Sequence, residues 1–280
     1  MGKLAFLWLA IKTVLCNCNS DHKLNHFTKS RAQYSIQKIG HMPDPITESS
    51  GLARSINPEA FWTHNDSGGK NEIYEVTHTG QLLNKVSIPD SRNIDWEDLA
   101  QDTLGHLYIG DIGNNSHNRN DLTIYKYNQQ KQNTEKITLK YSKQNELPTN
   151  PKTLSFDCEA FFFHQDSLYL FSKNIHNKNP FIKLYQLPAQ PGDYQLTPKD
   201  SIQINSPITA ADISPDGSKF VLLSYGKILL FDIAAQQIDF SKPIACFRMV
   251  RKQAEAILFI NNQDLIVTNE QGEIFKITRR

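Results

Sequence analysis

Five times along the chain an acidic residue opens a short apolar run: Glu48 in ESSGLA, Glu97 in EDLA, Glu159 in EAFFF, Asp212 in DIS and Glu255 in EAILF. A second apolar run follows each opening and ends in polar residues: FWTHND (61–66), LYIGDIGNN (107–115), LYLFSKN (168–174), FVLLSYG (220–226) and LIVTNEQG (265–272). A third run closes each unit, as EIYEV (72–76), LTIYKY (122–127), IKLYQL (182–187), KILLFDI (227–233) and EIFKI (273–277). The runs are short, rich in β-branched and aromatic residues, and separated by Asn, Gly, Asp and Pro, which predicts strands. No long stretch carries a helical period. The openings recur at intervals of 43 to 62 residues, the range of propeller blades rather than of helical solenoids.

A fourth strand is visible as KVSI (85–88), KITLKY (136–141), SIQIN (201–205) and, less clearly, PIACFRM (243–249). The fifth unit has none, while YSIQKIG (34–40), before the first unit, has no partners of its own. Set beside the last unit it closes the ring and leaves no sheet edge open. The pattern therefore predicts an all-β propeller of five blades closed by an N-terminal strand. The longest interval, between the second and third openings, leaves room for a sixth. The expected organisation is a signal over residues 1–18, a linker over 19–33 and the propeller over 34–280.

Thirty basic side chains against twenty-nine acidic ones leave the charge near neutral, which argues against a nucleic-acid partner. Lys3 followed by LAFLWLAIKTVL (4–15) reads as an export signal, too short to span a membrane. Cys16 and Cys18 are candidates for lipid attachment, and a cut after Cys18 by an ordinary signal peptidase is the alternative. The expected location is the periplasm, or the outer membrane through a lipid anchor; the oligomeric state is left open. Cys158 and Cys246 are expected as buried small apolar groups rather than a bridge.

In antiparallel meanders the first strand begins where the second ends, so the acidic openings and polar endings meet on one face of the ring. The converging groups are Glu48, Glu97, Glu159, Asp212 and Glu255, expected as ligands of Ca²⁺ or another divalent cation, since carboxylates are hard oxygen donors. With them come Asn65, Asp66, Asp111, Asn114, Lys173, Asn174 and Asn269, expected to contact a small ligand or a partner loop. Crowded carboxylates demand a cation, a basic partner or protonation. The competing reading is structural: such acids accept backbone N–H groups from the next blade, and Asn and Asp at strand ends form turns. HNDSGG (64–69), DWEDLA (95–100) and GDIGNN (110–115) are the richest segments. His64, His117 and Arg119 are further candidates for acid–base or anion-binding roles.

ESSGLA, FWTHNDSG, DWEDLA and LYIGDIGNN, in this order, resemble a group of exported bacterial propeller proteins with the pattern E-x-SGL, W-x-HNDSG, DWED-[IL]-A and YIGDIG-[DN]-N. The resemblance covers residues 48–127 and thins beyond them. More distantly the E-x-SGL opening resembles SdiA-regulated and phytase/esterase-like propellers, which implies cation-dependent hydrolysis. No GxSxG elbow, HExxH, P-loop or paired CxxC occurs, which removes support for serine-hydrolase, zincin, P-loop and zinc-ribbon chemistry. Three functions remain: an envelope module binding a small ligand or partner, a divalent-cation-dependent phosphoester or ester hydrolase, and a structural scaffold.

Overall fold

Each predicted trio of runs forms an antiparallel meander in the computed structural model, which describes residues 18–142, 156–173, 181–249 and 253–280. Five meanders stand around one axis as blades. Their inner strands are Ser49–Arg54, Trp96–Gln101, Cys158–His164, Ile208–Ile213 and Ala254–Phe259, and each packs on the next until the last meets the first. All five run in the same sense, so they begin together at one mouth of the channel and end together at the other.

The burial pattern explains why the runs were legible. Inner strands are covered on both faces and read as nearly continuous apolar segments, with five of six residues of Ser49–Arg54 buried. Outer strands such as Leu82–Ser87 are mostly exposed and carry a weak signal. The apolar side chains gather into five clusters, each shared by two neighbouring blades. Between the third and fourth blades the cluster is a pile of rings, with Phe220 and Phe231 stacked at 4.6 Å and Phe162, Phe171 and Phe240 around them.

Tyr34–His41 lies antiparallel on Glu273–Arg279 and supplies the outer strand of the fifth blade, closing the ring as expected. Two short strands escaped the sequence reading because neither has a period long enough to detect. Gly192–Leu196 runs parallel to Asn133–Tyr141 at the edge of the second blade, and Thr28–Lys29 runs parallel to Pro243–Arg248 at the edge of the fourth.

Residues 19–33 do not form a loose linker. Asn19–Asn25 is a helix, Phe27 is fully buried edge-on against Phe231, and Asp21 meets Lys227 at 2.6 Å with both side chains buried. Cys18 is bonded to Cys246, which corrects the expectation that Cys246 stands unbridged. Cys158 is free and buried, as expected. Cys18 thus belongs to the folded unit, and a cut after it would remove the bridge. Residues 1–17, with the expected export signal and Cys16, lie outside the described residues.

One carboxylate joins three blades across the axis. Asp98 of the second blade is fully buried; its Oδ1 accepts the N–H of Leu99 at 2.8 Å, and its Oδ2 accepts those of Phe161 at 3.0 Å and Ala211 at 3.1 Å. Asp212 does the same between the fourth and fifth blades, accepting the N–H of Phe259 at 2.7 Å and facing Arg54 of the first blade at 3.3 Å. Among the acidic openings Asp212 thus takes the structural role, a blade tie rather than the expected cation ligand.

Removing residues 1–41 should leave Glu273–Arg279 as an open edge, and the shortened chain is expected to aggregate where the full chain stays monodisperse in light scattering. Asp98→Leu strands two interblade N–H groups, at about 1–3 kcal/mol each. Denaturant unfolding should show that loss equally with and without Ca²⁺.

Candidate functional site

Every inner strand carries one extra residue near its start. The pairing skips Gly51 between Ser50 and Leu52, Glu159 between Cys158 and Ala160, Thr209 between Ile208 and Ala210, and Glu255 between Ala254 and Ala256. In the second blade Glu97 and Asp98 together face Gly110. A bulge bends its strand and re-aims a side chain, so the true repeat position is Gly51, Glu97, Glu159, Thr209 and Glu255. Glu48 and Asp212 stand three residues to either side of it. Gly51 needs its freedom: its φ is +68°, and a Cβ there would come within 2.6 Å of the Leu99 nitrogen.

At this mouth Asp66, Asp95 and Glu97 bring one carboxylate oxygen each to within 4.8 Å of one another. Asp66 directly follows the second strand of the first blade, while Asp95 and Glu97 flank Trp96 at the start of the inner strand of the second. Glu97 is placed by the bulge, and its carbonyl accepts the Ser50 hydroxyl at 2.5 Å. The space in front of Asp95 and Glu97 exists because residue 113 is glycine: a Cβ there would overlap both carboxylates. Arg119 fixes that glycine, donating to the Gly113 carbonyl at 2.8 Å and pairing with Asp111 at 3.0 Å; Asp111 in turn accepts the Asp95 N–H at 2.9 Å.

Carboxylates crowd the whole rim. Burial raises Glu97 well above the usual glutamate value, with Lys173 opposing and Asp66, Asp157 and Asp95 adding to the rise. Asp95 is raised to about 6 by burial and then by Asp66. Asp66 is raised by burial, against the Ser67 N–H and Lys173, with Glu48 adding. Lys173 is the ammonium set among them, nearly buried and paired with Glu159. On the far side of the rim Glu255 accepts the Tyr225 hydroxyl at 3.1 Å and is raised to about 8, by burial first, with Lys173 opposing and Glu270 adding.

The expected residues separate into two groups. Asp66, Glu97, Glu159, Lys173 and Glu255 converge on this mouth, and Glu48 stands exposed at its edge, where its carbonyl accepts the Asp66 N–H at 2.9 Å. Asn65, Asp111, Asn114 and Asn269, expected as ligand contacts, are tied into the protein instead. Asn65 holds Pro45, Thr47 and Glu48, and Asn114 binds Phe156, Asp157 and Arg119. Asn269 binds Glu273 through both atoms of its amide. Asn174 lies outside the described residues. His64 is fully enclosed, edge-on to Trp96, and burial lowers it to about 4. It is a neutral core residue near pH 7. His117 turns its edge toward Phe156.

Asp95, Asp157, Gly113 and Tyr225 complete the mouth without having been singled out as site residues, and Glu270 stands there beside Glu255. DWED signalled Asp95, but which of its three acids faces the channel depends on the bulge. Asp95 and Glu97 turn to the mouth, and Asp98 turns to the axis.

No protein-family model matches the chain, and no curated protein matches it in sequence. Among solved structures it is similar to XC5397 from Xanthomonas campestris, a gluconolactonase, with a TM-score of 0.50 at 11% identity over 89% of this chain and 91% of that one. Virginiamycin B lyase from Staphylococcus aureus gives 0.41 at 14% identity, covering 85% of this chain and 69% of that one. At 11% identity the likeness to the gluconolactonase is one of β-propeller fold alone.

These shifts fix a pH dependence for the metal-free protein. Between pH 8 and pH 6.5 the folded state holds a proton on Glu255 that an ordinary glutamate, near 4.5, does not hold in the unfolded chain. Stability therefore rises as pH falls through this window, by about 2 kcal/mol. Below pH 6.5 the unfolded chain protonates His64, which the folded state resists down to about 4, and the rise is opposed. Melting temperatures recorded with chelator from pH 8.5 to 6.5 should climb for the wild type and climb less for Glu255→Gln.

Proposed function

We propose that the acidic mouth binds a divalent cation through Asp66, Asp95 and Glu97 and presents it to a small ligand or a partner loop entering the channel. The observation that carries this reading is the meeting of three carboxylate oxygens within 4.8 Å in a space cleared by Gly113. Three carboxylates fit a hard cation such as Ca²⁺ or Mg²⁺. Burial raises the proton affinity of Asp95 and Glu97 and neighbouring carboxylates add to it, a crowding that a bound cation would relieve.

The residues that resemble the exported propeller group support the same reading, because their segments meet here. ESSGLA gives the Ser50 bond to Glu97, HNDSG gives Asp66, and DWED gives Asp95 and Glu97. GDIGNN gives Asp111, Gly113 and Asn114. Export remains part of the proposal, and the Cys18–Cys246 bridge suits an oxidising compartment. Lipid attachment, if present, belongs to Cys16. The near balance of charge keeps nucleic acid out of the list of partners.

A second reading is cation-dependent hydrolysis of a phosphoester or carboxylic ester, and the similar gluconolactonase shows that the fold hosts enzymes. A divalent cation supplies polarisation of the ester and a more acidic water. The specific observation in its favour is Glu255, bonded to Tyr225 and holding a proton near pH 7, which suits a proton donor across the mouth.

Calorimetry with Ca²⁺ and with chelator tests the site. Millimolar Ca²⁺ is expected to raise the wild-type melting temperature, by about 2.7 kcal/mol in stability at a hundredfold excess over Kd. Asp66→Asn, Glu97→Gln and Gly113→Ala should each lose that increment, the last because its methyl fills the space in front of both carboxylates. An equal response of wild type and variants would refute the assignment. Release of alcohol from model esters or phosphoesters, dependent on Ca²⁺ and lost in Glu255→Gln, separates the second reading from the first.

A further inference from the structure

The inner strands end at a second mouth, opposite the acidic one, and there the channel opens into a cavity of about 590 Å³. That volume falls within the range of small-molecule sites. Leu52, Leu99 and Leu258 form its floor. Four carboxylates and one guanidinium line its wall, and most of these charges are already answered. Asp102 takes His106 Nδ1 at 2.6 Å and the Tyr108 hydroxyl at 3.1 Å. Asp216 takes the Ser214 hydroxyl at 2.7 Å and both donors of Ser218, and Asp212 ties the blades.

Two charged groups are left with bonding capacity. Arg54, at the end of the first inner strand, is held by three acceptors: Nε donates to Phe259 O at 3.2 Å, and Nη2 to Ile213 O at 2.7 Å and to Asp212 at 3.3 Å. Its Nη1 has no partner among the described residues. Asp166 sits at the tip of the third blade's first hairpin, exposed, with a φ of +59°. Its carboxylate has no hydrogen-bond or ion-pair partner among the described residues. Beside it His164 encloses an Nε2 without a hydrogen-bond partner. A fixed donor on the first blade, an open acceptor on the third and an apolar floor between them form a pattern of opposite ends.

We propose that this second mouth binds a small zwitterion with an apolar middle, such as an ω-amino acid or a short peptide, its carboxylate on Arg54 and its ammonium on Asp166. A simple anion would gain Arg54 but meet the surplus of carboxylates. A simple amine would gain Asp166 and leave Nη1 of Arg54 without an acceptor. Arg54 and Asp166 stand on the first and third blades, which favours a ligand with its two charges at opposite ends. The site shares no residue with the acidic mouth and does not depend on a cation there.

Isothermal titration of the full chain with 6-aminohexanoate, hexanoate and hexylamine tests the assignment. The zwitterion should bind at least tenfold more tightly than either single-charge analogue, with or without Ca²⁺. Asp166→Asn, an exposed change that keeps the left-handed turn, should bring 6-aminohexanoate down to the level of hexanoate and leave hexanoate unchanged. Arg54→Gln should bring it down to the level of hexylamine; because Arg54 also ties three blades, Asp166→Asn decides the matter if that variant fails to fold. Equal binding by either analogue, no saturable binding, an Asp166→Asn affinity equal to wild type, or loss of binding in Glu97→Gln would each overturn the proposal.

Discussion

A propeller places its blades side by side, and nothing in the strand ladders themselves connects blades that are not neighbours. Asp98 supplies that connection. Its carboxylate leaves the second blade and takes N–H groups from the third and the fourth, so a buried charge satisfies backbone donors that inner strands expose toward the axis. Burial drives its proton affinity well up even against these bonds, the cost of a charge enclosed in a low dielectric. Asp212 with Arg54 repeats the device lower in the channel.

The bulge is the second constraint, and it turns repetition into chemistry. An extra residue near the start of each inner strand aims one side chain at the mouth whatever that residue is. Three blades place glutamate there, one places threonine and one places glycine. Thr209 uses its hydroxyl on the Ala254 carbonyl of the next blade at 2.8 Å, a structural use of the same position. Gly51 gives room for the close approach of Leu99. The resulting asymmetry concentrates carboxylates between the first and second blades and sets Lys173 and Glu159 beside them. Stability is lost at this rim and regained elsewhere, in the five interblade clusters and in the N-terminal strap that ties Cys18, Asp21 and Phe27 onto the fourth blade.

The fold was legible in the sequence because buried strands of a propeller are short apolar runs between turn residues, and because a lone strand such as Tyr34–His41 has one sensible place to go. The sequence by itself also marked the segments that meet at the acidic mouth, since HNDSG, DWED and GDIGNN concentrate acids and glycines that a plain turn does not require. It could not determine the register. A side chain's direction in a strand flips with every residue, and the bulge shifts that alternation by one, so Asp98 and Glu97, adjacent in the chain, serve the axis and the mouth. The same ambiguity made Glu48 and Asp212 look equivalent to Glu97. Contacts between residues far apart in sequence were equally out of reach: the Cys18–Cys246 bridge, the clearance at Gly113 and the pairing of Arg54 with Asp212. Each depends on which blades the closed ring brings together, a property of the assembled molecule that no local pattern carries.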